Sequence, residues 1–98
     1  MLVNVMDSYR NVVAICDSDL LGKYFEEDKF QLNLKESFYG GDEKNEEEAL
    51  EIIRNQKKED STFNIVGQKS IHTAIKSGII TTDMVKKIQG VPFSMVLL

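Results

Sequence analysis

The residues that could do chemistry are few. Cys16-Asp17-Ser18-Asp19 sets the chain's one thiol before two carboxylates, and a thiol attacks only once a base has taken its proton. His72, the one histidine, would have to be that base, yet it lies far along the chain in a different predicted element. Neighbouring carboxylates also raise a thiol pKa, against thiolate formation. Cys16 therefore reads as a core cysteine followed by helix-capping acids. Asp17 and Asp19, with Glu36 or a carbonyl, have the look of a cation pair. However, Leu21 stands where a calcium loop needs its third ligand, so the full D-x-D-x-D-G-x₅-E pattern is absent. One cysteine and one histidine also argue against the usual protein-only zinc site. No metal, cofactor or catalytic residue is assigned.

Two glycine segments could hold an anion. Gly40-Gly41 lacks the lysine and hydroxyl of a P-loop, and Glu43, Glu46 and Glu47 would repel a phosphate there. Gly67-Gln68-Lys69-Ser70 is the better candidate. A predicted strand ends in glycine, a helix begins, and its free N–H groups accompany Lys69 and the Ser70 hydroxyl. No GxGxxG supports dinucleotide binding. His72 and Lys76 continue the side of that helix opened by Lys69, and Lys86 and Lys87 follow further on. The candidate anion or RNA contacts are thus Gly67, Lys69, Ser70, His72, Lys76, Lys86 and Lys87. Tyr9, Arg10 and Tyr39, with Phe38, sit at loops or junctions, where aromatics can stack on unpaired bases and arginine can meet phosphate.

The elements that must position these residues follow from hydrophobic period. Residues 2–6 and 12–16 read as strands joined by a polar loop, the second apolar on both faces. Residues 17–23 suit a short helical turn ended by Gly22, and Glu26-Glu27-Asp28 suits an exposed connection. Phe30, Leu32 and Leu34 alternate with polar residues, the pattern of a strand wet on one face. Glu36–Gly41 is the hinge at which the period changes from two to 3.6, with glycines suited to a sharp turn. A helix is predicted over about 43–57, with Asn45 and Glu48 as capping box or Asp42 capping one turn earlier. A strand over 62–66, a helix over 69–77 closed by Gly78, a short helix from Thr81 or Thr82 to about 89, and a strand over 93–98 complete the chain.

The order β-β-β-α-β-α-α-β predicts an α+β two-layer sandwich, a mixed sheet of about five strands with helices on one face. Residues 62–98 suit a right-handed parallel crossover. Nothing in the pattern orders the strands or gives the oligomeric state.

The 98 residues, 42% hydrophobic and 29% charged, suit one compact domain over 1–98. The single cysteine agrees with a reducing cytoplasm. Neither a signal peptide nor an apolar run of the ~20 residues that span a bilayer is present. A net charge of −4 disfavours indiscriminate coating of nucleic acid. It is unevenly spread: residues 1–61 carry 8 basic against 15 acidic residues, whereas residues 62–98 carry 4 against 1.

The phrases VVAICDSDLLGK, LNLKESFYGG, EEALEII, DSTFNIVG and GVPFSMVLL, in that order, resemble domain-of-unknown-function family 424, a family of small archaeal proteins. The resemblance spans nearly the whole chain. It implies a cytoplasmic archaeal protein with a compact two-layer fold, and it brings no activity and no site residue. A link to translation or RNA handling is analogy with small proteins of this type.

The leading functional expectation is a non-enzymatic accessory protein that binds RNA or a ribonucleoprotein through the cationic residues named above. The runner-up is a protein-interaction module whose acidic helix over 43–57 docks a basic partner. Third stands an enzyme with a pocket near Asp17, Asp19, Ser37 and Asn64, for which no complete catalytic set is visible.

Overall fold

A computed structural model describes residues 1–97. Strands β1 (Leu2–Met6) and β2 (Val12–Cys16) form an antiparallel pair in the register Leu2↔Cys16 to Met6↔Val12. After a 3₁₀ turn at Ser18–Leu20 come β3 (Tyr24–Glu27), β4 (Phe30–Asn33) and a single helical turn, α1 (Glu36–Tyr39). A two-residue strand, β5 (Asp42–Glu43), precedes α2 (Glu46–Lys58). Then follow β6 (Thr62–Val66), α3 (Gln68–Ser77), a second 3₁₀ turn at Thr82–Met84, β7 (Lys86–Ile88) and β8 (Val91–Val96). The fold is α+β, with one mixed sheet in the order β5-β1-β2-β6-β8-β7. Leu98, the end of the expected last strand, lies outside the described residues.

The sheet divides the core in two. On one face, α2 and α3 lay Ala49, Ile53, Ile71 and Ala74 against Val13, Ile15, Phe63 and Ile65. On the other, Leu32, Leu34 and Tyr39 cover Ala14, Cys16, Val66 and Ile88. The two long helices therefore share one face, as expected, and the hairpin β3–β4 with α1 forms a smaller cover on the other. Strict alternation makes this possible. In β6, Phe63 and Ile65 turn to the helices while Thr62, Asn64 and Val66 turn to the hairpin side.

Four expectations are corrected. The acidic segment Glu26-Glu27-Asp28 is not a bare connection. Tyr24–Glu27 pairs with Phe30–Asn33 as a separate two-stranded sheet, anchored where inward-facing Phe25 sits opposite Leu32. The long helix starts at Glu46 rather than 43, because Asp42 and Glu43 pair with Val3 and Leu2 instead. Its capping box is the Asn45–Glu48 one: Asn45 Oδ1 accepts from the Glu48 N–H at 2.9 Å, and the Asn45 N–H donates to Glu48 Oε1 at 3.0 Å. The helix expected to reach 89 is only the turn Thr82–Met84. Gln89 (φ 50) and Gly90 (φ 78) then make a two-residue left-handed turn, which folds β7 back on β8 as a hairpin. Finally, β6 and β8 are antiparallel, and the parallel pair is β2 with β6. The main sheet has six strands.

Gly41 is fixed by close approach rather than by turn geometry. A Cβ there would overlap the Val3 carbonyl and the Asn4 nitrogen, so the chain could not lie against β1 at the point where β5 begins.

Candidate nucleic-acid interface

The N-terminus of α3 is already occupied. Its own cap position is Gly67, which has no side chain to offer. Asp17, leaving the end of the neighbouring strand β2, supplies the cap instead. Asp17 Oδ1 accepts from the Ser70 N–H and from the Ser70 hydroxyl, both at 2.8 Å, and Oδ2 accepts from the Lys69 N–H at 3.1 Å. Gly67 (φ 108) is what lets the carboxylate in, since a Cβ there would overlap it. The expectation of free N–H groups at Gly67–Ser70 is thus corrected. The anion seat that helix N-termini offer is filled by the chain's own aspartate, and Gly67 and Ser70 are buried.

Around this cap lies a cleft of about 470 Å³, lined by Asp17, Ser18, Asp19, Gln68, Lys69 and Gly90 among others. It opens because parallel neighbours β2 and β6 run on to opposite faces, β2 to the hairpin and β6 to α3. Such divergence points commonly hold ligands, yet here two aspartates face one lysine. Glu43 nearby takes the Met1 amino group and the Ser18 hydroxyl, and these bonds hold its carboxyl below the usual range.

The other candidate residues do not assemble into one surface. Lys69, His72 and Lys76 share the outer side of α3, as the spacing predicts. Glu46 sits among them, 3.4 Å from Lys76 Nζ and 3.9 Å from His72 Nε2, and offsets part of that charge. Lys86 and Lys87 diverge: Lys86 lies opposite Phe93 and Lys87 opposite Pro92, so they leave opposite faces of the sheet. Tyr9 is fully exposed at the β1–β2 loop with Arg10 beside it. Tyr39 is withdrawn as a loop contact. It is buried edge-on to Phe38 at 4.9 Å, and burial pushes its phenol up to about 12.

No nucleophile–base pair forms at Cys16. The thiol is buried on the hairpin face, 4.0 Å from the Tyr39 carbonyl. Burial, with Asp17 adding to it, pushes it up to about 11. His72 is exposed on α3, across the sheet. The enzyme set does not converge either, because Asp17 and Asp19 line one cleft, Asn64 lines another, and Ser37 lines neither.

That other cleft is the one sequence reasoning missed as a unit. The hairpin and α1 cover only part of their face, leaving a groove of about 410 Å³ between β4 and the open parts of β6 and β8. Phe38, Phe93 and Met95 form its floor, and Gln31, Asn33, Asn64 and Lys35 supply its polar groups. Lys86 leaves the same face beside Phe93. No carboxylate lines this groove, whereas the cleft at the α3 cap carries Asp17 and Asp19, a cleft between the start of α2 and α3 carries Glu46, and one beside β1 and Gly41 carries Asp42. Among the described residues, no hydrogen bond reaches the side-chain amides of Gln31, Asn33 or Asn64. The sequence did hold a trace of this. Asn64 is a poor strand former placed mid-strand, and the polar members of the Phe30–Lys35 alternation are the ones that meet it.

A family model described as "Protein of unknown function (DUF424)" matches residues 6–98. The chain belongs to the DUF424 family. A similar solved structure, that of an uncharacterized conserved protein from Methanopyrus kandleri, is 28% identical to this DUF424 chain. It superposes with a TM-score of 0.85, over 97% of this chain and 88% of that one. None of the curated proteins matches the chain. No described helix is long and apolar enough to cross a membrane.

Proposed function

We propose that this DUF424 protein is a non-enzymatic accessory protein of the archaeal cytoplasm that binds RNA or a ribonucleoprotein. One observation supports this above the rest: in a chain of net charge −4, the groove on the hairpin face is free of carboxylates and flanked by Lys35 and Lys86. An anionic partner meets no repulsion from its lining, and the aromatic and amide groups suit bases rather than bare phosphate. Lys69 is an auxiliary contact at most, because Asp17 and Asp19 stand beside it and Glu46 is shared between its neighbours.

The test is affinity purification from native lysate, with and without nuclease, over a salt series. RNA should co-purify and be lost on nuclease treatment, with retention falling modestly as salt rises, as two phosphate contacts imply. Lys35→Glu with Lys86→Glu should lower retention roughly 10-fold or more, as two phosphate contacts are replaced by repulsion. Recovery of no RNA by the unaltered protein defeats the reading.

A second reading has its own observation. Glu47, Glu48 and Glu51 of α2 are exposed, with Asp42 and Glu43 of β5 close in sequence to the helix start. Such a surface would dock a basic protein. Partners that resist nuclease but are lost on neutralising Glu43, Glu46 and Glu47 would favour it.

A further inference from the structure

We infer that the groove takes single-stranded RNA, with bases rather than backbone against its floor; the inference rests on the RNA reading above and specifies the form of RNA. The floor comes first. Phe38 and Phe93 are half-buried and Met95 is 59% exposed, so the groove presents flat and soft apolar surface to whatever enters. A duplex would set phosphates and sugars against that surface, because its bases are stacked inside. An unpaired strand can turn its bases onto it, and stacking on an aromatic strengthens binding by roughly 5- to 150-fold per base.

Charge leads to the same conclusion. Duplex binders draw their affinity from roughly 6–10 phosphate contacts, and this groove has two flanking lysines, Lys35 and Lys86. Two cations with stacking suffice for a single strand but leave a duplex weakly held.

The amides decide what is read. Gln31, Asn33 and Asn64 each carry a donor and an acceptor, the set that pairs with the Watson–Crick edge of a splayed base. Asn64 is the sharpest of them. It sits half-buried in the middle of a central strand, between Thr62 and Val66 on the same side. Its amide is open to solvent rather than sealed in the core, so a base edge can take the place of water there. The volume of about 410 Å³ lies within the range of about 300–1,000 Å³ typical of sites that enclose a small ligand.

The probes are labelled oligouridylate and oligoadenylate of roughly 10 nucleotides, a length typical for one binding fold, and a duplex of equal length, followed by fluorescence anisotropy. Single strands should bind at least ~10-fold tighter than the duplex, as one well-stacked base implies. Met95→Glu sets a carboxylate at an exposed floor position without touching the core, and should weaken single-strand binding ~10-fold or more. Phe93→Ala should do the same in protein shown by thermal unfolding to be folded. Lys69→Glu with Lys76→Glu should change binding by less than ~3-fold, since these residues face away. Equal binding of duplex and single strand, insensitive to Met95→Glu, overturns the inference while RNA binding elsewhere stands. No binding of any of the three probes overturns both. A nuclease-resistant polypeptide that co-purifies and is lost with Met95→Glu overturns the inference and gives the groove to a peptide.

Discussion

The N-terminus of α3 and the groove beside β4 are opposites. The first has the sequence of an anion site (strand, glycine, lysine, serine, helix) and is closed, because Asp17 already fills it. The second has no motif at all and is open, lined by amides, two phenylalanines and a lysine with no carboxylate. A helix N-terminus inside a small domain must have its N–H groups satisfied in the folded state. A chain that does so internally has spent the feature on stability. A half-covered sheet face carries no such obligation, and it is there that solvent-facing amides remain.

The largest effects should come from the closed site. Gly67→Ala must place a Cβ inside the Asp17 carboxylate at a φ that side chains rarely adopt, and should destabilise the protein by about 3 kcal/mol or more in urea unfolding. Asp17→Ala strips the cap and leaves two N–H groups and a buried hydroxyl unpaired, costing about 2–4 kcal/mol. Sulfate should then recover part of that loss, because the emptied N-terminus becomes a true anion seat. If Asp17→Ala unfolds at the same urea concentration as the unaltered protein, the seat was never filled and the contrast collapses.

A smaller effect probes the covered half of the groove's own face. The folded Cys16 thiol sits at about 11 against an ordinary 9.0, its folded value being raised. Stability is therefore full below about pH 9 and falls as pH rises from there toward 11, where the unfolded thiol ionises and the buried one does not. The loss should be on the order of 2 kcal/mol. Cys16→Ala should remove the loss between pH 9 and 10 and leave the one that Tyr39 contributes from pH 10 upward, its phenol moving from 10.0 to about 12. A flat profile from pH 9 to 11 in the unaltered protein would mean that water reaches this layer.

How much was legible follows from the range of the interactions. β1, β2 and β6 keep the bounds their hydrophobic runs predict, and the Asn45–Glu48 box is a local pattern that formed as written. β3 was hidden because its Glu26 and Glu27 face water or the β7–β8 turn, where the Gln89 N–H donates to Glu27 at 2.9 Å. β7 was hidden because Lys86 and Lys87 offer little apolar signal and Thr81-Thr82 imitates a helix cap. The site was harder still. Asp17 reaches Ser70 across 53 positions of sequence, and no local period reports that. The groove exists only because a short hairpin leaves part of a wide sheet uncovered, a property of the assembled layers. What the sequence did carry was Asn64, polar at mid-strand where a covered position would have been apolar.

The most direct test of the open groove is backbone amide NMR during titration with single-stranded oligouridylate. Shifts should grow together at Gln31–Lys35, Phe38, Asn64 and 93–95, with Lys69 and Ser70 unmoved beneath Asp17. Shifts confined to residues 67–76, or no shifts anywhere, would contradict the open groove.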